Sequence, residues 1–226
     1  MCLAGRAFGK NPRTTVQQDS LYTLIQETKN KARDISLSFI SEEGDRGKVT
    51  MVLSISDTIA LFTSGEASTA IQTQAEICSW LIPHALEMEL PLRGAISYGT
   101  YSVKENIMLG YAVDEAASWH ETTDWIGVVL APSAQMRYSG TISAPFAKYA
   151  AIPFKKPEKN LMICVDWTYP DKESLYRIIE GKGPLVPDIA AKYLNTIAFL
   201  DRNALCDCAK LQEKSIKSLL ERFVKP

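Results

Sequence analysis

A mixed α/β sandwich, with helices laid over one face of a largely antiparallel sheet, is the fold class this sequence predicts. Apolar residues recur at three- and four-residue intervals from Gln17 to about Phe39 and again from Ser68 to Glu89, the period of amphipathic helices. Short runs rich in Val, Ile and Leu alternate with these stretches, as strands layered against helices do. With 226 residues, 46% of them apolar, the chain can bury one substantial core, and nothing in it calls for a second globular unit.

Each element follows in order. Residues 1–16, with Gly5, Gly9 and Pro12 and no clean period, read as a short strand remnant or coil. The first helix carries Leu21, Leu24, Ile25, Ala32, Ile35 and Phe39 on one stripe, and a polar turn at 41–48 ends it. Met51 to Ser64 is two apolar runs hinged on Ser56 and Asp57, a β-hairpin with a carboxylate at its tip. The second helix aligns Ile71, Ala75, Cys78, Ile82 and Leu86, and Pro91 bars its continuation. His84, on the same helix, has no second ligand near it in sequence and reads as a helix-surface or core-edge histidine. Residues 92–109 read as two strands joined around Val103 to Asn106, after which Gly110 opens a helix to about His120. Trp125 to Ala131 and Leu161 to Trp167 are further buried strands, separated by a loop holding Pro145, Pro153 and Pro157. From Ile189 to Phe223 the apolar positions return to a helical period. The chain therefore divides into an α/β domain over 1–185 and a C-terminal helical extension over 186–226, whose apolar stripe needs a partner surface.

Composition excludes several classes. Net charge is −1 with both signs interspersed, which gives no electrostatic footprint for nucleic acid. No apolar run approaches the ~20 residues that span a bilayer, and the N-terminus lacks a hydrophobic signal core, so a cytoplasmic protein is expected with no membrane partner. Five cysteines form no disulfide framework, and Cys206-x-Cys208 has no second pair with which to bind zinc. Phosphate-binding Gly-x-x-x-x-Gly-Lys loops, Gly-x-Ser-x-Gly elbows and paired-histidine metal motifs are absent from the sequence.

Three segments carry a resemblance: Ile55-Ser56-Asp57 in the hairpin, Arg93-Gly94-Ala95-Ile96-Ser97-Tyr98-Gly99 after one helix, and Gly110-Tyr111-Ala112-Val113-Asp114-Glu115-Ala116-Ala117-Ser118. Their order and spacing over residues 48–121 resemble the class III nucleotide cyclase domain, and more closely a diverged bacterial set of cyclase-like proteins without assigned chemistry. The resemblance implies a ferredoxin-like cyclase-type sandwich, a homodimer with sites between subunits, and a nucleoside triphosphate as ligand. It also implies two aspartates holding two Mg²⁺ or Mn²⁺ ions. A later Asn would orient the ribose and an Arg would stabilise the transition state.

Residue by residue, the chain keeps part of this pattern. Asp57 stands at one metal aspartate, although a turn Asp capping its own hairpin is an equal reading. The first metal acid has Ala4 at its place, and no residue from Met1 to Gln18 is acidic; a truncated start is the other reading of that gap. Asp114 replaces the ribose-orienting Asn and Ser118 the Arg, while Leu53 and Ile107 replace the purine-reading Lys and acid. Arg93, Gly94, Lys104 and Tyr111 are candidates for contacting a nucleotide, with Arg137 and Lys148 as further basic residues. Asp57, Glu115 and the candidate catalytic residue Asp114 together form a possible acidic cluster for one hard cation, although acids at a helix N-terminus need no metal to explain them. Three functions are expected from this: a degenerate cyclase-like binding or regulatory module, an active divergent nucleotidyl cyclase, or an interaction protein using its C-terminal helices.

Overall fold

Two interlocked split β-α-β units form the centre of the molecule. A computed structural model of the chain describes residues 2–6, 15–39, 49–105, 107–156, 161–168, 172–181 and 190–202. Strand β1 (Cys2–Arg6) leads to helix α1 (Thr15–Ser38), the hairpin β2 (Met51–Ile55) and β3 (Thr58–Phe62), helix α2 (Ala67–Glu87) and strand β4 (Leu92–Ile96). β1 lies between β3 and β4, antiparallel to both, and β2 pairs with the outer side of β3. The resulting order β2-β3-β1-β4 is the ferredoxin-like arrangement.

The chain then adds a small hairpin, β5 (Ser102–Lys104) and β6 (Ile107–Leu109), and helix α3 (Tyr111–Thr122). β7 (Gly127–Leu130) pairs parallel to β4, which requires the crossover that α3 supplies. Helix α4 (Pro132–Arg137), strands β8 (Phe146–Lys148) and β9 (Ile163–Val165), and helices α5 (Lys172–Glu180) and α6 (residues 190–202) complete the described elements. β9 and β8 extend the sheet antiparallel beyond β7.

Strand alternation decides which helix covers which face. Ile59 and Leu61 are buried in the main core with Leu24 of α1 and Ile71, Cys78 and Ile82 of α2. Ala60 and Phe62, one residue out of phase, pack instead against Ala112, Val113 and Ala116 of α3. The principal helical layer is on one face as expected, and α3 with its hairpin is an addition to the other. Buried polar groups fix the register of these parts: the Thr50 amide donates to Ser36 Oγ (3.0 Å), Thr50 and Thr63 share a hydroxyl bond (2.8 Å), and Gln74 Nε2 donates to the Leu61 carbonyl (3.1 Å).

Several details depart from the sequence reading. Residues 92–109 hold three strands, because the turn-forming run Ser97 to Thr100 separates β4 from the β5–β6 hairpin. The proline-bearing stretch between β7 and β9 contains α4 and β8, and α5 was not expected. Above all, α6 belongs to the core. Phe199 stacks edge-on against Trp125 at 4.8 Å, Thr196 Oγ1 accepts the Ile126 amide at 3.0 Å, and Asn195 donates to the Asp124 carbonyl at 2.8 Å. An α/β domain ending at 185 would leave the Trp125 and Trp167 rings uncovered on that side, so removing residues 189–226 would cost the core its packing. Ile189, Leu211, Leu219, Phe223 and Cys206-x-Cys208 lie outside the described residues. No helix among the described residues is long and apolar enough to cross a membrane.

Candidate functional site

The candidate residues fall at two opposite ends of the sheet. Gly5 of β1 pairs with both Thr58 and Arg93, so the hairpin tip with Asp57, the end of β1 and the start of β4 share one end. The tip is a tight turn in which Ser56 takes φ +57°, and Asp57 is half-buried. Arg93 is occupied there: its Nη1 donates to the Thr123 carbonyl at 3.1 Å, closing the C-terminal end of α3. Burial lowers the Arg93 pKa, with Glu121 and Asp124 opposing that shift. Beside it, burial also lowers the pKa of His120. Arg93 Nε and His120 Nδ1 are both buried and have no hydrogen-bond partner among the described residues. Gly94 is buried mid-sheet, paired with Ala4 on one side and Val128 on the other, where it serves backbone packing.

Lys104, Tyr111, Asp114 and Glu115 lie at the other end. Ser97 Oγ donates to the Ala112 carbonyl at 2.5 Å, which fixes the start of α3 beside the carboxyl end of β4. Asp114 is exposed in the first turn of α3, and Lys104 is exposed at the β5–β6 turn. Glu115 accepts the Ser133 amide at 3.1 Å and a short bond from the Ser133 hydroxyl, so it anchors α4 to α3. Along β4, the step from the Arg93 level to the Ser97 level and one residue beyond the tip place Asp57 roughly 17 Å from the α3 start, taking ~3.4 Å per strand residue. Asp57, Asp114 and Glu115 therefore do not converge within one chain. Among the described residues no group of three His, Cys, Asp or Glu side chains could hold a metal ion.

A pocket of about 690 Å³ at this second end was missed by the sequence reading. Its walls are the loop after β3 (Thr63, Ser64, Gly65), the loop after β4 (Tyr98 to Tyr101) and Arg137 of α4. Two short Ser/Thr/Gly loops, each directly following an apolar strand, were its only signal in the sequence. The helix termini nearby are already furnished with carboxylates. Glu66 caps α2 by accepting the Thr69 amide at 3.0 Å, and those backbone bonds lower its pKa; Glu115 takes the α4 amide; Asp114 lies in the first turn of α3. This end would repel a multiply charged anion from the helix termini that otherwise attract one.

No family model matches the sequence, and no curated protein matches it. Among solved structures, one of a bacterial light-regulated adenylyl cyclase is similar at 14% identity with a TM-score of 0.41, covering 80% of this chain and 56% of that one. A second structure described in the same words gives 16% identity and a TM-score of 0.40, over 80% and 55% of the two chains. The chain spans about half the length of each.

Proposed function

We propose that this chain is a cyclase-like module that has lost purine cyclase chemistry and acts as a self-associating binding or regulatory unit. The observation that carries the reading is the state of the required positions. β1 offers no acid, Ser118 stands where a transition-state Arg is needed, and Leu53 and Ile107 stand where a purine would be read. Arg93 and Glu115, the nearest substitutes, are engaged in holding α3 and α4. Loss of one charge-stabilising group alone typically lowers turnover by about two to three orders of magnitude.

Self-association is supported by an apolar stripe on the outside of β6 and the start of α3. Met108 packs inward against α3, while Ile107, Leu109 and Tyr111 are 60%, 63% and 83% exposed. A two-fold pair burying that stripe would be isologous, each copy presenting the same residues to the other.

A titration of Mn²⁺ followed by electron paramagnetic resonance, with the solution mass determined on the same sample, tests the reading. The expected result is a dimer that binds no Mn²⁺ tighter than about 1 mM, and a monomer for Leu109→Lys. Tight Mn²⁺ binding that disappears in Asp57→Ala would overturn the degenerate reading; a wild-type monomer would overturn self-association.

A further inference from the structure

The pocket between the loops after β3 and β4 lies at a point where the chain's connections part. β3 and β4 each run antiparallel to β1, and β7 runs parallel to β4, so the carboxyl ends of all three strands emerge on the same edge. From β3 the chain turns into α2, on the α1 face of the sheet, and from β4 it passes to α3, on the opposite face. β1 enters the sheet between these two strands, so the loops after β3 and β4 stand apart at this edge and leave a crevice between them. That crevice is the 690 Å³ pocket, within the range that holds small organic molecules.

Its chemistry narrows the ligand. Tyr98 and Tyr101 line it, and Tyr101 is held in place by packing on Phe62 at 5.0 Å and by a 2.7 Å bond between its hydroxyl and Ser64 Oγ. The Tyr98 amide is already taken by Ser133 Oγ at 2.8 Å, so that loop is fixed in advance of any ligand. Arg137, in the last turn of α4, is the sole basic side chain lining the pocket and has no carboxylate partner among the described residues. With one guanidinium, and Glu66 next in sequence to the lining Gly65, the site suits an anion of one or two charges and not a triphosphate. We infer that this pocket binds a small organic anion of one or two charges, a carboxylate or a phosphate monoester attached to a planar ring, with the anion on Arg137 and the ring against the tyrosines. The inference is independent of whether the chain turns over a triphosphate.

Calorimetric titration of the full chain with two probes, AMP and 4-hydroxybenzoate, tests it. The expected result is saturable binding of at least one probe at concentrations up to about 1 mM. Arg137→Ala, which removes no described contact, should weaken it about tenfold or more. Thr100→Trp, which places a bulky ring at an exposed lining position, should abolish it while circular dichroism stays unchanged. Binding of AMP alone identifies a phosphate monoester and of 4-hydroxybenzoate alone a carboxylate. Failure of both probes to bind folded protein, or binding that survives both substitutions, overturns the assignment.

Discussion

Replacing Gly110 with alanine would strain the junction on which α3, the β5–β6 hairpin and the pocket loop all depend. Gly110 has φ +127° and ψ 166°, a region essentially closed to residues with a Cβ and costing about 1–3 kcal/mol. An added Cβ would also lie 2.5 Å from the Thr100 carbonyl oxygen and 2.8 Å from Tyr101 Cα, both backbone atoms that cannot swing aside. The same Thr100 oxygen accepts the Ala112 amide at 3.3 Å, so relieving the clash loosens the bond that starts α3. That loss adds about 1 kcal/mol, for a total of about 2–4 kcal/mol. In a domain of this size the melting temperature should fall by roughly 4–16 °C. Gly99→Ala is the control, since its Cβ would meet Ala112 N at an ordinary 3.6 Å. Urea unfolding of the three proteins measures both effects. A Gly110→Ala protein within about 0.5 kcal/mol of wild type would show that this junction carries no such strain.

Further outcomes follow from other contacts. Arg202 Nη2 meets Asp166 Oδ1 at 2.7 Å with side-chain exposures of 9% and 27%, so Asp166→Ala should cost about 2–3 kcal/mol after allowance for solvent at the acid. Adding Arg202→Met should recover part of it, and urea midpoints of the single and double variants decide. Glu115→Ala removes the bonds joining α3 to α4 and should lower stability by about 1–2 kcal/mol, more than Asp114→Ala, as read by the same unfolding curves. His120 has a folded pKa below its ordinary 6.5 because it is buried, so the unfolded state binds the proton first. Stability should be full above 6.5 and decline as pH falls below it. His120→Gln should flatten the wild-type slope between pH 7.5 and 5.5; an unchanged slope would remove His120 as its source.

Local pattern made most of the fold legible. The helical stripes of α1 and α2, the Ser56-Asp57 turn and the Gly110 helix start all rest on short-range chemistry, namely period, turn residues and a glycine-only backbone. What the sequence did not show depends on long-range pairing. That Ala60 and Ile59 serve different helical layers follows from strand register, and that Phe199 completes a cage with Trp125 and Trp167 follows from contacts between residues far apart in sequence. The same limit applies to the site. Asp57, Asp114 and Glu115 look like one acidic set when aligned by motif, yet β1 inserts between β3 and β4 and the strands carry them to opposite ends. The bonds that Arg93 and Glu115 make to Thr123 and Ser133 likewise join residues distant in sequence, and no motif shows them.

Turnover decides most directly whether a cyclase-like scaffold here lacks cyclase chemistry. Purified protein would be incubated with ATP, GTP, CTP and UTP in Mg²⁺ and in Mn²⁺, following cyclic nucleotide and pyrophosphate, beside an Asp57→Ala control. No cyclic product from any triphosphate is expected in a folded sample. A cyclic product that the control fails to make would contradict that expectation and establish a divergent cyclase with Asp57 in its metal site.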